Sequence, residues 1–75
     1  MTNEITKLIK LGKNIKSARK NKGYSQNKLA EILYISREHL AKIETAKKYV
    51  SLGLLFKIAA ALDVTEKDLF DFNKN

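Results

Sequence analysis

Apolar residues recur at helical spacing along this chain, in short segments separated by only a few residues. The first segment places Leu8, Leu11, Ile15 and Ala18 on one helix face, and Gly23 follows as a C-terminal stop signal. Proline is absent, and no segment alternates apolar and polar residues as a half-buried strand does. This spacing predicts short helices joined by tight connections.

Four later segments each follow a residue that favours the N-cap position of a helix. These residues are Ser25, Ser36, Ser51 and Thr65. Thr65 and Asp68 also have the spacing of a capping box, although with a shorter acid than usual. We therefore predict an all-α fold, a compact five-helix bundle that forms one domain over residues 1–75.

Composition argues against a catalytic or metal-binding protein. The 75 residues include no cysteine and one histidine, and the eight acidic residues are scattered among lysines. No nucleophile–base pair and no metal-ligand set can be assembled from these groups, so we expect no enzyme activity, catalytic residue, metal or other cofactor. No apolar run approaches the ~18 residues of a membrane span, and no signal-peptide pattern is present, so a cytoplasmic location is expected.

Positive charge is concentrated in the first two-thirds of the chain. Residues 1–50 hold twelve basic and four acidic side chains, whereas residues 51–75 hold three and four. Such a distribution favours a surface that meets a polyanion such as nucleic acid. Solubility alone is the competing explanation, because small domains commonly carry several net charges.

The stretch from Gln26 to Thr45 has the pattern of two short helices that cross at a tight turn. Ala30 is small where the two backbones come closest. The apolar positions suited to a shared core are Leu29, Leu33, Ile35, Leu40 and Ile43, and the polar positions suited to the outer faces are Gln26, Asn27, Arg37, Glu38, His39 and Lys42. A DNA-binding helix-turn-helix needs this arrangement, because its second helix must enter the major groove.

A larger set of residues, spread over residues 11–70, fits one known family. The matching positions are Leu11-Gly12-Lys13-Asn14-Ile15, Arg19, Gly23, Ser25-Gln26, Leu29-Ala30-Glu31, Leu33, Ile35-Ser36-Arg37, Ile43-Glu44, Ser51-Leu52, Lys57-Ile58-Ala59, Ala61-Leu62, Val64 and Leu69-Phe70. Here the sequence resembles the Cro/C1-type (XRE-like) helix-turn-helix transcriptional regulators, which include phage repressors and restriction–modification controller proteins. The resemblance implies a lambda-repressor-like fold whose second and third helices form the helix-turn-helix.

The resemblance also implies a function and a set of site residues. The expected function is that of a repressor or autoregulator that binds a palindromic operator in double-stranded DNA as a homodimer, through a recognition helix over residues 36–45. The positions implied to read bases are Arg37, Glu38, His39 and Lys42. Those implied to hold phosphates are Gln26, Asn27, Ser36, Thr45, Lys47 and Lys48. Arg19 and Glu44, each among apolar neighbours, are expected to form a structural ion pair.

Four positions depart from the family pattern, and one part of the function stays open. Tyr34 stands where a turn glycine is usual, and the loop after the recognition helix has Ala46, Tyr49 and Val50 in place of a glycine and Asn-Pro. Tyr49 is expected to pack that loop onto the core rather than to stack on the DNA backbone. An antitoxin or adaptor whose main partner is another protein is the alternative function, and neither function involves a membrane or a small-molecule substrate.

The dimer contact is expected to lie after Ser51, where the chain is nearly neutral. Leu54 and Phe72 fall at positions where the family is usually polar or variable, and they are the candidates for that contact. Isolated exposed apolar residues are common on monomers, which is the competing explanation for both.

Overall fold

The computed structural model describes residues 3–73 and contains five helices and no strand within that range. The helices are α1 (Glu4–Lys22), α2 (Gln26–Leu33), α3 (Arg37–Glu44), α4 (Leu52–Leu62) and α5 (Glu66–Leu69). The all-α, five-helix prediction is confirmed, and α2 and α3 form the helix-turn-helix. Over the same residues, none of the helices combines the length and apolar character that a membrane crossing requires.

Each helix begins at a side chain that accepts a hydrogen bond from a backbone N–H three residues later. The accepting residues are Asn3, Ser25, Ser36, Ser51 and Thr65, with distances of 2.9–3.1 Å. The four caps predicted from the sequence are present, and Asn3 is a fifth. The carboxylate of Asp68 also accepts from the backbone N–H of Thr65 at 3.0 Å, which completes the reciprocal capping box.

Each of the first four helices is followed, within two residues of its end, by one residue in the left-handed region. These residues are Gly23 (φ 86°), Tyr34 (59°), Ala46 (63°) and Asp63 (58°). In each case the next backbone N–H returns to the carbonyl five residues earlier, for example Ile35 to Ala30 at 3.0 Å and Lys47 to Lys42 at 2.8 Å. Tyr34 and Ala46 therefore adopt the conformations that glycine favours, at a cost of about 1 kcal/mol each.

The core lies where α1, α2, α3 and α4 meet. Its largest fully buried side chains are Ile15, Leu29, Leu40, Ile43, Ile58 and Leu69. Gly12 permits the closest approach, since a Cβ built on it would stand 2.6 Å from the carbonyl oxygen of Glu44 and 2.7 Å from that of Ile43. The backbone of α1 therefore rests directly on the C-terminal end of α3.

A buried amide attaches the C-terminal part of the described chain to α1. The side-chain Nδ2 of Asn14 donates to the carbonyl oxygens of Leu69, at 2.8 Å, and Asp71, at 3.1 Å. Because these two carbonyls lie at the end of the very short α5, Asn14 satisfies acceptors that the helix itself leaves free. No local sequence pattern indicated this bond, which joins residues 55 positions apart.

Candidate nucleic-acid interface

The outward side of α3 brings together most of the side chains expected to read bases. Arg37, Glu38 and Lys42 are exposed and His39 is half-buried, whereas Leu40 and Ile43 on the opposite side are buried. Burial of that apolar side fixes the rotation of α3 about its axis. The residues that line one shallow groove along the outward side are Arg37, Glu38, Ala41, Lys42, Thr45 and Lys47.

The N-terminal end of α3 is held by Ser36, whose hydroxyl oxygen accepts from the backbone N–H of His39 at 3.0 Å. The hydroxyl hydrogen of Ser36 stays available as a donor, because the cap uses only the oxygen. Glu38 lies in the first turn of the same helix, where a negative charge is favoured by the helix dipole. The end of α3 that would approach base edges is therefore well ordered.

The C-terminal end of α3 is fixed by Arg19 of α1. The guanidinium Nε donates to Oε2 of Glu44 at 2.7 Å, and Nη2 donates to Oε1 at 3.1 Å, in a two-point ion pair. The remaining Nη1 donates to the backbone carbonyl of Tyr24 at 2.8 Å. The two side chains are only 7% and 1% exposed, so the pair lies within the core rather than on the surface. A buried pair in which each of the three guanidinium nitrogens donates a hydrogen bond holds α1 and α3 in one relative position.

Gln26, expected to contact a phosphate, is connected to the same ion pair. Its amide Nε2 donates to Oε1 of Glu44 at 2.9 Å, and its side chain is half-buried. Glu44 therefore accepts from α1 and from α2 at once. Sequence reasoning missed this bond, because Gln26 and Glu44 are 18 positions apart and each already had another expected role.

The other side chains expected to contact phosphates differ in whether they are exposed and whether their polar atoms already make hydrogen bonds within the protein. Asn27, Lys47 and Lys48 are exposed. The hydroxyl of Thr45 donates to the backbone carbonyl of Ala41 at 2.8 Å, so a phosphate would have to replace that bond to receive the same hydrogen. Lys47, in the loop after α3, lines the groove, and Lys48 is the next residue of that loop.

Tyr49 connects the loop after α3 to the start of α1. Its hydroxyl donates to Oε2 of Glu4 at 2.5 Å, and the ring lines an open cleft of about 480 Å³ together with Leu8, Phe70 and Phe72. The hydrogen bond to Glu4 and the negative charge of that carboxylate raise the pKa of Tyr49, which keeps the phenol protonated as a donor. The Tyr49 side chain is 59% exposed, so it packs the loop onto the core less fully than expected from the sequence.

This fold and this helix-turn-helix agree with one family of known proteins. The helix-turn-helix family model HTH_3 matches residues 15–69. The chain belongs to the HTH_3 family. Its relatives in this family are transcriptional regulators and control proteins, so the chain groups with DNA-binding regulators of the Cro/C1 (XRE-like) type and not with enzymes.

Individual HTH_3 relatives match over most of the chain. The control protein C.BamHI of Bacillus amyloliquefaciens is 40% identical over 73 residues, which cover 96% of this chain and 88% of that protein. The crystal structure of the restriction-modification controller protein C.AhdI from Aeromonas hydrophila has a TM-score of 0.80 at 35% identity and covers 84% of this chain and 96% of its own.

A structure of the biofilm master regulator SinR in complex with DNA has a TM-score of 0.75 at 39% identity, covering 81% of this chain and 98% of that one. The chain spans only 42% of the length of an uncharacterized HTH-type regulator of Rickettsia conorii and 56% of the length of SinR of Bacillus subtilis, two curated relatives that it matches.

The HTH_3 fold of this chain exposes a different set of apolar side chains from the one the sequence suggested. Leu54 and Phe72, the candidates for a dimer contact, are half-buried and pack against the core. Beyond Ser51, the large apolar side chains that reach solvent are Leu52 (64% exposed), Phe56 (50%) and Phe70 (48%). Sequence periodicity could not distinguish the exposed from the half-buried apolar side chains of α4, because that helix is apolar on nearly every face.

Proposed function

We propose that this chain is a repressor or autoregulator that binds a palindromic operator as a homodimer and reads it with the outward side of α3. The observation that carries the proposal is the composition of that side, where exposed Arg37, Glu38 and Lys42 stand on a helix anchored at both ends. Support also comes from SinR, whose solved complex with DNA has a similar fold.

Each base-reading side chain has a chemical role in the major groove. Arg37, the first residue of α3, can donate two parallel hydrogen bonds to O6 and N7 of a guanine. Glu38 can accept from the amino group of cytosine, and Lys42 and His39 can donate to base acceptors. These four side chains would supply the sequence preference.

The phosphate contacts would supply affinity without sequence preference. Lys47 and Lys48 contribute two charges at the end of α3, while Gln26, Asn27 and Ser36 contribute neutral donors. Thr45 is the weakest member of this set, because its hydroxyl hydrogen already has an acceptor. The lysines make binding strongly dependent on salt, since each neutralised phosphate releases a counterion.

A dimer follows from the size of the site. One recognition helix covers only a few base pairs, and a two-fold pair would place its helices about 34–36 Å apart on successive turns of one DNA face. We assign the dimer contact to α4, where exposed Leu52 and Phe56 lie one turn apart on one side. Leu54 and Phe72, the contacts expected from the sequence, are half-buried against the core and contribute only their exposed part. A regulator of this kind would act in the cytoplasm, where it meets DNA.

Selection of bound duplexes from a random pool tests this proposal directly. We expect enrichment of a palindrome whose half-sites are centred about 10 bp apart, and two protein chains per selected duplex. Enrichment of a single, unrepeated half-site with one chain bound would contradict the dimer. Recovery of the unselected pool would contradict sequence-specific binding altogether. The antitoxin or adaptor alternative is not favoured by relatives that are transcriptional regulators and control proteins.

A further inference from the structure

We propose that Glu44 positions Gln26 for phosphate binding, in addition to neutralising Arg19. The inference rests on the proposed DNA-binding function and assigns the buried carboxylate a part in it. In this role Glu44 touches no DNA. It fixes which end of the Gln26 amide faces the protein and leaves one amide N–H for a phosphate oxygen.

The position of the Glu44 carboxylate is set before any DNA arrives. Two guanidinium N–H groups of Arg19 reach its two oxygens, at 2.7 Å and 3.1 Å, and the side chain is 1% exposed. Arg19 is itself fixed by its third bond, to the carbonyl of Tyr24. The oxygen that receives the Gln26 amide is therefore a rigid point of the core rather than a mobile surface group.

An ionised carboxylate accepts hydrogen bonds and donates none. Only the Nε2 end of the Gln26 amide can face Glu44, at the observed 2.9 Å, because the reversed amide would set two oxygens against each other. One of the two Nε2 hydrogens is used in this bond. The second hydrogen stays on the half-buried side chain as a donor whose direction is fixed by the planar amide.

Fixing this side chain in advance should strengthen DNA binding. A glutamine loses rotamer freedom when it is immobilised at an interface. Here the Gln26 side chain is already ordered in the free protein, so binding does not incur that entropy cost again. The same network spans three helices, since Arg19 lies on α1, Gln26 on α2 and Glu44 on α3. The phosphate donor on α2 is thus held at a constant offset from the base-reading side chains on α3.

A purely structural role for the Gln26–Glu44 bond makes a different prediction. If the bond only joins α2 to α3, its loss would lower the free energy of unfolding and leave the DNA affinity of the folded protein unchanged. Affinity and stability therefore have to be measured on the same variants. The phosphate contact is independent of sequence, so a 20-bp duplex of arbitrary sequence at low salt is a sufficient probe.

The test compares the full chain with Gln26→Ala, Glu44→Gln and the double variant by fluorescence anisotropy. Glu31→Gln is the matched control, because it also removes one negative charge but from the exposed side of α2. We expect Gln26→Ala and Glu44→Gln each to weaken binding by about 2- to 10-fold, the range for one side chain that must be ordered on binding. The double variant should be no weaker than the singles, and Glu31→Gln should bind at least as tightly as wild type.

A measurement on the unmutated protein covers the case in which Glu44→Gln does not fold. In the ¹H–¹⁵N spectrum of the free chain, one Gln26 side-chain amide proton should have a chemical shift downfield of that of a solvent-exposed glutamine amide. The other should move only when the duplex is added. Two solvent-like resonances in the free chain would overturn the inference, as would wild-type affinity in Gln26→Ala or in folded Glu44→Gln. Absence of duplex binding by wild type would instead overturn the proposed function.

Discussion

Tyr34 shows how far one residue can depart from the family pattern while the local structure is retained. Its backbone is left-handed, with φ 59° and ψ 41°, and its ring is 95% exposed. The next residue, Ile35, still packs against the core, and its N–H still reaches Ala30. The turn between α2 and α3 is therefore kept at the expense of backbone strain, with almost no compensating burial of the ring.

Replacing Tyr34 by glycine should stabilise the protein. Glycine removes a strain of about 1 kcal/mol, offset in part by its greater freedom in the unfolded chain. We expect Tyr34→Gly to raise the free energy of unfolding by only part of that strain, up to about 0.5 kcal/mol, in urea titrations. Tyr34→Ala is the matched control, because alanine keeps the strain and loses the same exposed ring. Equal stability of the two variants would contradict this expectation, because the strain relieved would then be no larger than the cost of glycine's freedom in the unfolded chain.

Residue roles were predictable from sequence only where they depend on chain neighbours or on a family pattern. The left-handed conformation of Tyr34 followed from its place in the turn. The bond from Gln26 to Glu44 did not, because it requires the relative placement of α2 and α3. Tyr49 likewise binds Glu4, 45 positions away, and no local pattern connects the two.

At the scale of elements, the contact between α1 and α3 controls where the recognition helix lies. Gly12 sits against the carbonyls of Ile43 and Glu44, and the Arg19–Glu44 pair adds a polar attachment at the same end of α3. A side chain at position 12 would force the two backbones apart and displace α3. This contact therefore connects a packing requirement to the geometry of the site.

Gly12→Ala should be destabilising although alanine is the better helix former. The added methyl group would stand 2.6 Å from a backbone oxygen, and overpacking of this kind costs about 1–3 kcal/mol. Gly53→Ala in α4 is the control, since a Cβ there meets nothing within 4 Å. Thermal unfolding should show a lower Tm for Gly12→Ala and an unchanged or higher Tm for Gly53→Ala. A Gly12→Ala protein as stable as wild type would mean that α1 and α3 are farther apart.

Helix boundaries were the most predictable elements of the fold. Each N-cap bond spans three residues, so a serine or threonine before an apolar segment was sufficient to place it. The attachment of α5 was not predictable, because Asn14 reaches Leu69 across 55 positions. Hydrogen bonds between near neighbours in the chain can be predicted from a short stretch of sequence, whereas bonds between helices depend on how the helices pack together.

Across the whole molecule, the excess of positive charge lies in the first fifty residues, whereas large exposed apolar side chains occur throughout the described chain. The basic residues predominate before residue 50, and the exposed Leu52 and Phe56 lie after it on α4. In the proposed function the basic part meets the polyanion, and the exposed apolar side of α4 meets a second copy of the chain. Leu54 and Phe72 were predicted as dimer contacts from the family pattern, but packing against the core leaves them only partly accessible.

In the proposed binding mode α3 reads the base sequence, while the loop after it contacts the DNA phosphates. Comparing Arg37→Ala with Lys47→Ala separates these two roles. Affinity is measured over a range of salt on the selected operator and on a random duplex, with Lys67→Ala on α5 as the charge-matched control.

Arg37→Ala should cost about 1–3 kcal/mol on the operator, relax the choice at one base pair per half-site, and affect random DNA much less. Lys47→Ala should weaken both duplexes alike and lower the salt slope by about one unit per subunit, and Lys67→Ala should have little effect on either. The reverse pattern, with Arg37→Ala weakening binding to all sequences equally and Lys47→Ala changing the preferred base, would show that α3 does not read the sequence.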